Sequence, residues 1–72
     1  MSSANEILVK DSNLLGGTAV FRGTRVPFRA LLDYLEAGQT LDEFLDDFPT
    51  VSRTAAISAL ELAKSLVFDR LQ

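Results

Sequence analysis

The apolar pattern changes its period at Pro27, and that boundary constrains the fold more than any other feature of the chain. Proline has no N–H to give a β-ladder, and its fixed φ suits the first turn of a helix. It therefore closes the sheet before it and opens a helix after it. Upstream, β-prone runs predict short strands near residues 6–9, 18–22 and 24–26. Ile7-Leu8-Val9 is the first, followed by the turn-forming cluster Asp11-Ser12-Asn13, and Gly16-Gly17 punctuates again. Thr18–Arg22 and Arg25-Val26 flank Gly23-Thr24, a Gly-X link that predicts a tight hairpin because glycine accepts positive φ. The β-hairpin region is thus expected over 6–26.

Downstream the spacing is helical. Phe28, Leu31, Leu32 and Leu35 share one face and Gly38 supplies a stop, which predicts a helix over about 28–37. Thr40-Leu41-Asp42-Glu43 is a capping box that opens a second helix over 41–48, with Leu41, Phe44, Leu45 and Phe48 inward and Pro49 ending it. Ser52 caps a third helix over 53–71, whose core stripe runs through Ala56, Leu60, Ala63 and Val67. The expected architecture is mainly α: one domain over 1–72, three helices behind a small N-terminal β-hairpin. The link Phe48–Val51 has the length of a helix-turn-helix turn.

Composition removes most catalytic chemistry. The chain has 0 histidine, 0 cysteine and 0 tryptophan, so it has no disulfide, no thiolate nucleophile, no Cys/His zinc site and no imidazole base. No lysine precedes Gly23-Thr24 to make a phosphate loop, and no serine has an evident activating base. The chain is accordingly expected not to be an enzyme and to use no cofactor or metal. No apolar run approaches the ~20 residues of a membrane span, and Met1-Ser2-Ser3-Ala4 lacks a signal-peptide head, which predicts a soluble cytoplasmic protein. A chain of this size buries only roughly 60–65% of its unfolded surface, so a homodimer is expected as its staple. The seam expected for that dimer is the Ile7-Leu8-Val9 strand with the hairpin.

The net charge of −3 is unevenly spread. Residues 1–30 carry four basic side chains against two acidic ones, whereas residues 31–72 carry three against eight. Arg22, Arg25 and Arg29 interleave with Phe21 and Phe28; they either contact phosphates or solubilise a sheet edge and pair with the acidic second helix. Arg53 and Thr54 lead the third helix, where a recognition helix meets base edges, although Glu61 nearby repels phosphate; an ordinary surface strip is the competing account. Asp42, Glu43, Asp46 and Asp47 read as a solvated face that complements the helix dipole, and not as a cation site. Leu62, Leu66, Phe68 and Leu71 add more apolar surface than a three-helix core needs. With Arg70 they mark a partner-binding surface or else a dimer interface.

Gly23-Thr24-Arg25-Val26-Pro27, preceded by Gly16-Gly17 and Ala19-Val20-Phe21-Arg22, resembles the "GTR-[IV]-P" signature of the bacterial domain-of-unknown-function 433 family. Leu31-Leu32 through Ala37-Gly38, Leu41 through Pro49, and the alanine- and leucine-rich stretch from Ser52 to Ala63 are similar to the rest of that pattern, over about residues 7–64. The resemblance implies a homeodomain-like, helix-turn-helix three-helix fold. It also implies an antitoxin-like role: binding a PIN-like ribonuclease toxin and repressing a shared promoter. A stand-alone helix-turn-helix regulator that binds promoter DNA without a toxin is the alternative. Under the antitoxin reading, Arg70 is a cation able to enter the carboxylate site where such a nuclease holds its metal.

Overall fold

A computed structural model of the chain describes residues 7–11 and 18–71. Glu6, Ser12-Asn13 and Gly16-Gly17, to which the sequence assigns a strand start and turns, lie outside the described residues. Strand β1 (Leu8–Asp11) pairs antiparallel with β2 (Thr18–Phe21), in the register Leu8 to Phe21 and Val9 to Val20. Three helices follow: α1 (Phe28–Glu36), α2 (Leu41–Asp47) and α3 (Arg53–Leu71). The chain is therefore mainly helical behind a small N-terminal hairpin.

The hairpin is built from a different pair of segments than the sequence suggests. The chain does reverse at Gly23-Thr24, but residues 24–26 form no strand. The antiparallel ladder on that side of β2 shrinks to one bridge, Val20 to Pro27. The reason lies in Pro27, which donates nothing and sits at φ −74°, ψ 145° as the residue that opens α1. Too few residues separate the turn from the helix to extend a ladder, so β2 takes β1 as its partner.

The helix boundaries follow local chemistry. Ala37 ends α1, and Gly38 at φ +85° follows it; the Gly38 N–H donates to the Leu35 carbonyl at 3.1 Å and Gln39 N–H to the Tyr34 carbonyl at 3.0 Å. This pair of reversed bonds is the Schellman stop, for which a left-handed residue is required. At α2 the capping box is complete: Glu43 N–H donates to Thr40 Oγ1 at 3.1 Å, and Thr40 N–H donates to Glu43 Oε1 at 2.7 Å. Ser52 caps α3 by accepting the Ala55 N–H at 3.0 Å.

The core is Phe21, Leu31, Phe44, Val51, Ala56 and Ala59, one or two from each of β2, the three helices and the α2–α3 link. Phe44 is its hub, with ring centroids 4.9 Å from Phe48, 5.4 Å from Tyr34 and 6.4 Å from Phe21. Phe28 joins edge-on to Phe21 at 6.0 Å. Val51, which periodicity treats as linker, is buried because it precedes the Ser52 cap and packs with Ala56 into the same cluster, as a hydrophobic staple does. Val67 departs from expectation in the other direction: α3 outruns the body of the domain, so its last two turns find no core and Val67 is 54% exposed.

Candidate functional site

Two surfaces stand out once the structural duties of each side chain are assigned. The first is the turn from Phe21 to Pro27. Thr24 N–H donates to the Phe21 carbonyl at 2.9 Å, closing a four-residue turn in which Gly23 occupies the third place at φ +80°. A turn of this kind requires positive φ at that place, hence glycine. Thr24 Oγ1 donates to the same carbonyl at 2.9 Å and accepts the Val26 N–H at 3.0 Å, so one hydroxyl staples both sides. Phe21 N–H returns to the Val26 carbonyl at 2.9 Å, and Arg22 N–H is held by the Ile7 carbonyl at 2.8 Å.

Within Gly23-Thr24-Arg25-Val26-Pro27, four residues thus shape the backbone or lean on the core. Arg25 does neither. It is exposed, as is Arg22, and among the described residues neither makes an ion pair. The turn is a rigid mount for two guanidinium groups, and the sequence pattern flagged the arginines without showing that Thr24 is the staple. Arg29 follows in the first turn of α1, 3.9 Å from Asp33, an exposed pairing that leaves it available to other anions. The two line an open cleft of about 480 Å³ with Thr18, Pro27 and Ala30.

Arg53 and Thr54 are placed apart from that turn, at the start of α3. Both are exposed, but the Arg53 guanidinium is engaged by Asp42 of α2 and so braces the α2–α3 corner. The acidic face of α2 is largely occupied in the same way. Asp42 holds Arg53, Glu43 completes the cap of Thr40, and Asp47 accepts a hydrogen bond of 2.5 Å from the Tyr34 hydroxyl of α1. Among the described residues no group of three or more acidic side chains converges as a metal site would require.

The Tyr34–Asp47 bond raises the phenol above its ordinary value of 10.0, with desolvation and the charges of Asp47 and Glu43 adding in the same direction. A phenol whose folded pKa is raised contributes stability below its unfolded pKa and loses it as pH climbs through the folded value. The stability difference between the wild type and Tyr34→Phe is accordingly expected to persist at pH 8 and to shrink above pH 10, as read by thermal melts across that range.

The second surface is the free end of α3. Leu66 is 57% exposed, Phe68 56% and Leu71 78%, and Arg70 is exposed beside them. Leu62 is half-buried where the helix leaves the body. Phe68 is the one phenylalanine of five that takes no part in the aromatic cluster. The apolar side chains of this end stand on both sides of the helix, more than one buried stripe uses. No helix among the described residues is long and apolar enough to cross a membrane, so a bilayer-spanning helix does not account for these side chains.

The family described as "Protein of unknown function (DUF433)" matches residues 8–63, which includes the arginine turn and all three helices up to the point where α3 leaves the body. An uncharacterized protein of Sinorhizobium fredii, y4eO, is 35% identical over 51 residues, which are 71% of this chain. The match takes up 23% of y4eO, so this chain corresponds to less than a quarter of that relative. No solved structure matches the chain.

Proposed function

This chain belongs to the DUF433 family, and from that premise we propose that it is the antitoxin-like half of a bacterial toxin–antitoxin pair, acting by binding and not by catalysis. Its partner in this reading is a PIN-like ribonuclease, neutralised in the cytoplasm. The observation that carries the proposal is the apolar end of α3, where Leu66, Phe68 and Leu71 are each more than half exposed. Exposed aliphatic and aromatic side chains on consecutive turns, beside the cation Arg70, suit a docking helix laid into a protein groove. Leu62 continues the Leu66 side of the helix toward the body, while Phe68 and Leu71 stand on the other side.

The test is capture of a PIN-like ribonuclease encoded beside this chain. Leu66→Asp places a charge in the contact without touching the core, and it is expected to cut capture at least about tenfold while circular dichroism stays unchanged. Undiminished capture by that variant would remove the Leu62–Leu66 side of α3 from the interface.

A second reading, a stand-alone helix-turn-helix regulator, is favoured by the exposed and unpaired state of Arg22 and Arg25 among the described residues, and by the short link between α2 and α3. Binding of promoter DNA by the chain alone, weakened for all sequences by Arg22→Ala/Arg25→Ala, is its signature. The slope of log affinity against log salt would then fall by about 2.

A further inference from the structure

The outer face of α3 carries a second apolar stripe, which shares Leu60 with the residues packed against the core. Ile57, Leu60, Lys64, Val67 and Leu71 follow one another at spacings of three and four residues, the repeat of a helix that packs along another helix. Ala56 and Ala59, one position before Ile57 and Leu60, are the residues buried in the domain. The stripe beside them stays open, with Ile57 44% and Val67 54% exposed. Phe68 flanks it. Leu62 and Leu66 lie two residues either side of Lys64, a rotation of about 200°, and so occupy the opposite face. Of the surface assigned to the nuclease, Leu62 and Leu66 therefore lie apart from the stripe, while Phe68 and Leu71 stand on its side of the helix.

The charge on this stripe points to what covers it. Lys64 interrupts the apolar residues at their midpoint, and Glu61 stands beside it, 3.4 Å away within the same helix. Both are largely exposed. When two α3 helices are laid antiparallel, so that Ile57 of one meets Val67 of the other, Lys64 of each falls against Leu60 and next to Glu61 of the second copy. A lysine in the seam then has a carboxylate from each chain. The two-fold symmetry supplies this twice, and the apolar contacts are repeated with it. A parallel pair instead sets Lys64 against Lys64.

We propose that this chain self-associates through the Ile57–Val67 stripe of α3, as an antiparallel helix pair with Lys64 of each copy beside Glu61 of the other. The seam is short and covers less than the ~1,600 Å² of a standard interface, so association in the micromolar range is expected. This surface is an alternative to the Ile7-Leu8-Val9 strand expected as the dimer seam, and it leaves the Leu62–Leu66 face free on each copy.

Sedimentation equilibrium of the full chain over a range from about 5 to 500 µM reads the association directly. A concentration-dependent dimer is expected for the wild type and for Leu66→Asp, whose substitution lies on the other face. Ile57→Asp/Val67→Asp is expected to be monomeric throughout, with helicity retained because both side chains already meet solvent. Lys64→Glu sets like charges together and should weaken the dimer severalfold, whereas Glu61→Lys/Lys64→Glu should restore it. A wild type that stays monomeric overturns the proposal. So does a dimer that survives Ile57→Asp/Val67→Asp, or a double charge reversal as weak as the single one. Loss of nuclease capture in Leu66→Asp with the dimer intact bears on the partner reading alone.

Discussion

Phe44→Ala is expected to leave the chain largely unfolded at 37 °C. Phe44 is 0% exposed and makes ring contacts with Phe21, Tyr34 and Phe48, joining the hairpin, α1 and the end of α2. Truncating a buried phenylalanine removes its transfer free energy and leaves a cavity, about 3–5 kcal/mol together. A domain of this size holds on the order of 5 kcal/mol in total. The three rings around the cavity come from separate elements, each fixed by its own cap or turn, and cannot all move inward. Far-ultraviolet circular dichroism with a urea titration checks the result. A loss below about 1 kcal/mol would show that Phe48 or Tyr34 refills the site, and that the aromatic cluster is less tightly specified than its geometry indicates.

Ala59→Asp is expected to be comparably severe for a different reason. Ala59 is 0% exposed on the face of α3 that meets the core, and every residue of that cluster is apolar. A carboxylate there has no partner and must either lose several kcal/mol of solvation or take up a proton. Its folded pKa is then raised above the unfolded value. By linkage the variant gains stability relative to the wild type as pH falls toward the ordinary aspartate range, and loses it as pH rises. Paired urea titrations at pH 5 and pH 7.5 read that sign. A deficit independent of pH would mean that crowding, not the buried charge, is the main cost. Ala59→Leu, expected to cost about 1–3 kcal/mol by overpacking, calibrates the steric part.

Both variants bear on how the helices were recognisable before the fold was known. The starts of α2 and α3 are written in side chains that bond to backbone a few residues away, and the start of α1 in the fixed φ of Pro27. Pro27 before α1, Thr40 with Glu43 before α2, and Ser52 before α3 all act where the sequence places them. Such bonds need no distant partner, and so local sequence suffices to locate them. The same holds for the reversal at Gly23, where positive φ leaves little choice of residue. Membership of the DUF433 family was legible from these segments taken together, since the match over residues 8–63 follows their order.

Which strand pairs with β2, and where α3 stops being core, were decided only by the assembled fold. Residues 24–26 have strand composition, yet a ladder needs room on both sides of a turn, and Pro27 removes it. Thr24 reads as an ordinary β-branched residue in sequence; only the closed turn reveals its hydroxyl bonding on two sides and leaves Arg25 facing outward. In α3 the apolar residues continue through Leu71 without a change in pattern, but burial needs neighbours. The body of the domain ends before the helix does. Val67 became surface for that reason, whereas Val51 became core because it packs with Ala56 at the start of α3. Local bonding determined the elements of this protein, and the finite reach of its small core decided which apolar residues remain for partners.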